Sequence, residues 1–130
     1  MEVYLDSDIL IDFLRGDRET VKTIRRLEEE YELATTSVNL FELYYGAYKT
    51  GRSKNIKAVD ELASRLEVSA VTEKSAKISG KIIAELESDG EVIDFRDALI
   101  AAVVIENNAI LFTRNVKHFR RVKGLKLFEL

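Results

Sequence analysis

The sequence predicts an α/β fold in which helices cover both faces of a mostly parallel central sheet. Short apolar segments alternate with longer amphipathic segments of helical period along the 130 residues, the pattern of parallel strands joined by helices. One short segment, residues 109–113, is predominantly apolar, as is typical of a strand buried on both faces. The length and the lack of an internal repeat or linker predict a single domain over residues 1–130.

The first strand is predicted by the apolar run that ends at Asp6. A helix should follow at once and end at Gly16, because four apolar residues recur at helical spacing: Ile9, Leu10, Phe13 and Leu14. Either Ser7 or Asp8 is expected to cap this helix, since both side chains can accept a hydrogen bond from the free N–H groups of a first turn.

The middle of the chain predicts three helices and a strand. Residues 18–30 carry apolar side chains at helical spacing, and residues 32–36 form the second strand candidate. Ser37 is expected to cap a helix over residues 38–49. A polar break follows, and another helical stripe extends over residues 56–66.

The remaining elements complete the alternation. Residues 67–71 are the third strand candidate, and a long helix opens at Thr72 and ends near Gly90. A further helix begins at Asp94 and stops at Asn107, before the apolar strand described above. Residues 125–129 are the last strand candidate.

Composition excludes several classes of protein. The net charge is −3, so the chain as a whole is not a basic nucleic-acid binder, although local basic patches and bound cations can still attract a phosphate backbone. No apolar run approaches the roughly 20 residues of a membrane span, and no signal peptide is predicted. The absence of cysteine excludes thiol catalysis and fits a cytoplasmic protein. Abundant Lys, Arg and Glu with no Gln resemble a thermophile's composition.

Asp6 stands where a functional site is expected. Ligands of open α/β sheets bind beyond the carboxyl ends of the strands, and Asp6 ends the first one. Glu42 lies among apolar residues in the helix after the second strand, and Asp97 lies in the first turn of a later helix, where the helix dipole favours a carboxylate. Asp94, three positions earlier, shares its face. Three of these acids also have an ordinary interpretation: a helix cap for Asp6 and Asp94, and a solvated outer face for Glu42.

Three carboxylates from separate elements, Asp6, Glu42 and Asp97, are a plausible cage for Mg²⁺ or Mn²⁺. A carboxylate cluster without an ion would repel itself, which favours a metal site. The single His118 and the absence of Cys exclude a zinc cluster.

Residues 114–126 contain six basic residues and no acid, with one helical turn expected inside the segment. Because this segment follows the fourth strand, it lies at a strand end, where contact with phosphate is credible. Arg114 and Lys117 are the candidates for that contact.

Four stretches in this order resemble the PIN-domain ribonucleases of the VapC toxin type over nearly the whole chain. They are residues 5–11 with Asp6, residues 37–46 with Glu42, residues 97–102 with Asp97, and residues 111–119 with Thr113 and Asn115. The resemblance implies a three-layer α/β/α sandwich and an endoribonuclease that hydrolyses RNA phosphodiester bonds with Mg²⁺ or Mn²⁺. It implies Asp6 and Asp97 as metal ligands, Glu42 as a third acid, a homodimer and a partner antitoxin.

The chain departs from the family pattern after the fourth strand, where many members carry a fourth acid. Here the nearby residues are Asn115 and His118. Asn115, with Thr113, is expected to support the site by holding a water or a substrate oxygen, and Asp94 is the residue that would compensate for the missing charge.

Two other functions fit part of the sequence. A haloacid dehalogenase-like phosphatase would use Asp6 as nucleophile and Asp8 as acid/base, with Thr35 or Thr36 as its second motif, but it would leave Glu42 without a role. A non-catalytic binding module on the PIN fold would explain Asn115 as a trace of a decayed site.

Overall fold

The computed structural model describes residues 1–129 and has a five-stranded, fully parallel sheet at its centre. The strand order is β3-β2-β1-β4-β5. The strands are β1 (Glu2–Leu5), β2 (Glu32–Thr36), β3 (Glu67–Ser69), β4 (Ile110–Phe112) and β5 (Lys126–Leu127). The predicted parallel sheet is therefore confirmed.

Seven helices join these strands in the described part of the chain. They are α1 (Ser7–Leu14), α2 (Arg18–Glu30), α3 (Ser37–Thr50), α4 (Ser53–Ser64), α5 (Glu73–Ser88), α6 (Phe95–Glu106) and α7 (Val116–Phe119). None of them combines the length and the apolar character that crossing a membrane requires.

Two apolar cores lie on opposite faces of the sheet, so the three-layer sandwich is confirmed. Alternating side chains of β1 divide between them: Val3 and Leu5 face the core built with α1, α2, α3 and α4, and Tyr4 faces the core built with α5 and α6. In α6, three small residues are fully buried, as expected for a helix that lies close to the sheet: Ala98, Ala101 and Ala102.

The strand order places a switch point between β1 and β4. From β1 the chain adds β2 and then β3 on one side, and β4 and β5 later extend the sheet on the other side. Leu5 pairs with Phe112 in the parallel register, so the residues after them, Asp6 and Thr113, leave the sheet side by side. In sheets of this kind a ligand site lies in the crevice at such a point.

Two helix caps differ from the sequence prediction. Neither Ser7 nor Asp8 caps α1; Asp6 is its N-cap, as its ordinary interpretation predicts, and its carboxylate accepts a hydrogen bond from the backbone amide of Ser7. Thr36, rather than Ser37, caps α3 through its hydroxyl. In both places several capping residue types are adjacent, and the backbone at the end of the strand decides which one lies outside the first turn.

Candidate active site

The site is built around the buried carboxylate of Asp6, which is 7% exposed. The Thr113 hydroxyl donates a hydrogen bond to Asp6 Oδ2 at 2.6 Å across the switch point. The Thr113 hydroxyl itself accepts from the backbone amide of Asn115 at 3.0 Å. The turn after β4 therefore fixes the orientation of the carboxylate that ends β1.

A buried amide connects Asp6 to the next acid. Asn39 of α3, 1% exposed, donates through Nδ2 to Asp6 Oδ1 at 3.0 Å and to the Ser7 hydroxyl at 2.9 Å. Ser7 in turn donates to Glu42 Oε1 at 2.7 Å. The amide of Asn39 is itself oriented because its Oδ1 accepts from the Thr36 hydroxyl at 2.7 Å.

Glu42 is a half-buried acid of this site and not a solvated residue of an outer face. Burial raises the pKa of the Glu42 carboxyl, the Ser7 hydrogen bond opposes that shift, and the charge of Asp6 adds to it. Arg96 lies on its open side, with Nη1 3.9 Å from Glu42 Oε2. A carboxylate with a raised pKa beside a solvent opening is suited to accept a proton.

Asp97 reaches the same edge from the first turn of α6. Burial raises the pKa of the Asp97 carboxyl, the neighbouring His118 lowers it, and the charge of Asp6 raises it further. His118 Nε2 lies 3.0 Å from Asp97 Oδ2. The contribution of Asp6 to the pKa of both Glu42 and Asp97 means that the three carboxylates share one electrostatic environment.

Asp8 is a fourth acid at this edge. Its Oδ2 accepts from the Arg114 amide at 3.2 Å and lies 3.5 Å from the Thr113 hydroxyl. Its Oδ1 is buried and, among residues 1–129, has no hydrogen-bond partner. Burial, and next the charge of Asp6, raise the pKa of Asp8 to about 6.

The side chains of three residues that the sequence suggested for the site make no hydrogen bond to its acids in the described part of the chain. Asp94 caps α6 through the Arg96 amide, and its carboxylate is 3.2 Å from Arg96 Nε, which lowers its pKa. Arg114 is held away, with Nε 2.6 Å from Asp12 Oδ2 and Nη2 2.6 Å from the Thr20 hydroxyl. Lys117 is exposed on α7.

Sequence reasoning missed the uncharged residues that connect the acids. The sequence indicates Ser7 only as a cap and does not single out Asn39, although a side-chain amide at an inward position of an amphipathic helix is a signal of a buried hydrogen bond. His118 is visible in the sequence as the single histidine, but its contact with Asp97 depends on the position of α7 against α6 and has no local signature.

The chemistry of these side chains fits a hard divalent cation. The acids offer only carboxylate oxygens, which Mg²⁺ and Mn²⁺ prefer, and the unpartnered Asp8 Oδ1 is an orphaned buried oxygen in the same cluster. No three Asp, Glu or His side chains of residues 1–129 are arranged to hold one ion together. Mg²⁺ needs only one or two direct carboxylates and keeps several waters, so two acids are enough.

Comparison with known proteins identifies the family. Residues 3–125 match the model of the PIN domain. The chain is 36% identical over 125 residues to Ribonuclease VapC2 of Rickettsia felis, covering 95% of this chain and 93% of that protein. It is 29% identical to the tRNA(fMet)-specific endonuclease VapC of Shigella flexneri, over 97% of this chain and 96% of that one.

Solved structures agree with this match. The VapBC2 structure from Rickettsia felis, bound to a DNA fragment from its promoter, superposes with a TM-score of 0.92 at 30% identity and covers 100% of this chain and 99% of that one. DNA-bound VapBC from Salmonella typhimurium superposes with a TM-score of 0.89 at 27% identity, over 98% and 97% of the two chains. The chain therefore belongs to the PIN-domain family, in its VapC branch. These matches give no support to the phosphatase or the non-catalytic alternative.

Proposed function

We propose that this protein is a divalent-metal-dependent endoribonuclease and the toxin of a toxin–antitoxin pair. The observation that carries the proposal is the convergence of Asp6, Glu42 and Asp97 at the switch point of the sheet, where the charge of Asp6 acts on both of the other acids. The relatives named ribonuclease VapC have the same fold over nearly their whole length.

Asp6 and Asp97 are the residues that would hold Mg²⁺ or Mn²⁺. An ion held by these two acids would supply an activated water and would neutralise the charge that develops on the leaving oxygen. Thr113 and Asn39 orient Asp6 through one carboxylate oxygen each. Glu42, held by Ser7 and with a raised pKa, is placed to accept the proton of the attacking water.

Contacts to the RNA backbone are assigned to exposed cations near the acids. Lys117 of α7 keeps this role from the sequence prediction. Arg96 joins it, because its guanidinium lies on the open side of Glu42 and its side chain is 43% exposed. The guanidinium of Arg114 pairs with Asp12 and Thr20, which are not part of the acid cluster, so we do not include it. Asn115, exposed after β4, remains a candidate for holding a water or a substrate oxygen.

The antitoxin partner is inferred from the solved VapBC complexes of the relatives. A groove of about 330 Å³ between α1, α3 and α4 is lined by apolar residues such as Ile11, Leu14 and Leu43, and it extends to Glu42. An apolar segment of the partner seated in this groove would cover one side of the acids. The expected action in the cytoplasm belongs to the same proposal, because the RNA substrates lie there.

A homodimer is also part of the proposal. Three aromatic side chains on one side of α3 are 56–63% exposed: Phe41, Tyr45 and Tyr48. The rings of Phe41 and Tyr45 stack with their centroids 6.3 Å apart. Exposed aromatic rows of this kind are enriched at protein interfaces, so we assign this row to the contact between two copies of the chain.

The test is RNA cleavage by Asp6→Asn and Asp97→Asn in the presence of Mg²⁺ or Mn²⁺. Both variants should lose cleavage, while the thermal midpoint of the ion-free protein stays the same or rises, because removing one acid relieves repulsion within the cluster. Asp89→Asn is the matched control: it makes the same chemical change at an exposed residue after α5 and should cleave like the unchanged protein. Unchanged cleavage by either site variant would reject the assignment.

A further inference from the structure

Arg121, which lies outside the acid cluster, is connected to Asp97 through His118. His118 of α7 lies with Nε2 3.0 Å from Asp97 Oδ2, and its other ring nitrogen, Nδ1, lies 2.8 Å from Nη2 of Arg121. We propose that His118 is a positioning residue for Asp97, and that Arg121 holds the ring so that Nε2 is the donor to the carboxylate. This inference rests on the proposed role of Asp97 as a metal ligand.

Arg121 is fixed independently of the histidine ring. Its Nε donates to the His118 carbonyl at 2.9 Å, and its Nη1 donates to the Val92 carbonyl at 3.0 Å. Nη1 is also 3.4 Å from Glu91 Oε1, and the side chain is only 22% exposed. The segment between α5 and α6 therefore sets the orientation of the guanidinium, and Nη2 is directed at the imidazole as a consequence.

The tautomer of His118 follows from the chemistry of its two neighbours. A guanidinium has only donors, so Nδ1 must accept and cannot carry a proton. The ring proton is then on Nε2, which donates to Asp97, an acceptor. The ring is held in place as well, because it packs edge-on against Phe119, which is 1% exposed, with the two ring centroids 5.3 Å apart.

A donor at this position does for Asp97 what Thr113 and Asn39 do for Asp6. The hydrogen bond engages Oδ2 and fixes the rotation of the carboxylate, which leaves Oδ1 for an ion. Hydrogen-bond partners of metal-ligating groups commonly contribute a factor of about 10 to 100 in metal affinity or activity. His118 also introduces no negative charge beside Asp97, so it orients the carboxylate without adding repulsion.

Amide substitutions at position 118 test this role. The amide nitrogen of Gln can reach the place of imidazole Nε2, whereas that of Asn is one carbon shorter and lies nearer the place of Nδ1. We expect His118→Asn to weaken Mn²⁺ binding, measured by titration calorimetry, by about 10- to 100-fold. His118→Gln should retain most of the affinity, and RNA cleavage at subsaturating Mn²⁺ should follow the same order.

Two further measurements separate positioning from a structural effect. The ion-free Asn and Gln variants should both unfold cooperatively and have the circular dichroism spectrum of the unchanged protein, so that a difference in affinity between them does not come from loss of the fold. Long-range ¹H–¹⁵N spectra of the ion-free protein near neutral pH should show His118 with its proton on Nε2, and Arg121→Ala should let the other tautomer appear.

The outcomes divide as follows. Wild-type affinity in His118→Asn, equal losses in the Asn and Gln variants, or a proton on Nδ1 would each overturn the inference. If any of these occurs while Asp97→Asn still loses ion binding and cleavage, the proposed function stands. If the unchanged protein neither binds Mn²⁺ nor cleaves RNA, the proposed function and the role of His118 fail together.

Discussion

At the scale of single residues, Asp8 is the acid whose environment is least satisfied. One of its carboxylate oxygens is buried without a partner among residues 1–129, and the Arg114 amide is the nearest donor to the other, at 3.2 Å. Burial raises its pKa from 3.8 to about 6, with Asp6 adding to the shift. Because folding raises the pKa of Asp8, the folded protein holds this proton more tightly than the unfolded chain does. Ionisation of Asp8 therefore lowers the free energy of unfolding.

The expected consequence is a pH dependence that Asp8→Asn removes. Between pH 4 and pH 6 the folded state binds the proton of Asp8 more tightly, so this residue makes the free energy of unfolding fall as pH rises through that window. The loss is complete above about pH 6. Because the side chain is partly solvated, we expect Asp8→Asn to gain only about 1 kcal/mol at pH 7, or a thermal midpoint higher by about 2–4 °C.

Thermal unfolding at pH 3.5 and pH 7 in the presence of a chelator measures this effect. The Asn variant should gain stability only at the higher pH, and Asp89→Asn should show no such difference between the two. A gain of equal size at both pH values would mean that repacking, and not charge, changed the stability.

At the scale of elements, the junction of β2 with α3 connects helix capping to the site. The Thr36 hydroxyl accepts from the backbone amide of Asn39 at 3.1 Å and donates to the side-chain oxygen Oδ1 of Asn39 at 2.7 Å. Asn39 in turn donates to Asp6 and to Ser7. Thr36 therefore has two roles: it caps α3, and it orients the side-chain amide of Asn39, which donates to two residues of the site.

We expect Thr36→Val, which keeps the side-chain shape but removes the hydroxyl, to lower the free energy of unfolding by about 1–3 kcal/mol. The loss combines a missing helix cap with a buried Asn39 oxygen left without its donor. Urea unfolding measures the stability, and RNA cleavage should fall as well because the Asn39 amide is no longer held. Thr36→Ser retains the hydroxyl and is the matched control. Equal stability of the Val and Ser variants would show that the hydroxyl has no such role.

At the scale of the whole molecule, the exposed aromatic row of α3 is the surface we assign to the dimer. Its three rings lie on the helix that also contributes Glu42, so a second copy seated there would stand beside the site. Burial of large aromatic side chains is a main source of interface stability.

A double substitution, Phe41→Glu with Tyr45→Glu, should therefore shift the protein from dimer to monomer. Sedimentation velocity over a range of concentrations measures the change, and circular dichroism checks that the fold is retained, since both side chains are exposed. Val71→Glu places a charge on an exposed apolar residue elsewhere and should leave the dimer intact. A dimer that survives the double substitution, or an unchanged protein that is monomeric, would exclude this surface as the dimer contact.

Much of the fold could be predicted because its signals are local. The helix over residues 18–30 and the strand over residues 32–36 match the structure, since hydrophobic period and breaker residues determine such segments. The strands predicted at 67–71 and 125–129 are too long, because strand ends depend on pairing partners. β3 extends only over 67–69, where it pairs with β2, and β5 only over 126–127, where it pairs with β4. The cap of α3 moved by one residue for a similar reason, since Thr36 and Ser37 are both suitable and the sheet decides between them.

By itself the sequence determined the layers, the parallel sheet and the acids at strand and helix ends, because period, burial and end position are written in neighbouring residues. Only the tertiary structure decided which polar side chains meet. Asn39 reaches Asp6 across 33 positions, His118 reaches Asp97 across 21, and Arg114 is drawn to Asp12 across 102. These contacts depend on how helices are seated on the sheet, and a shift of one turn would replace each partner with another, so no local pattern encodes them.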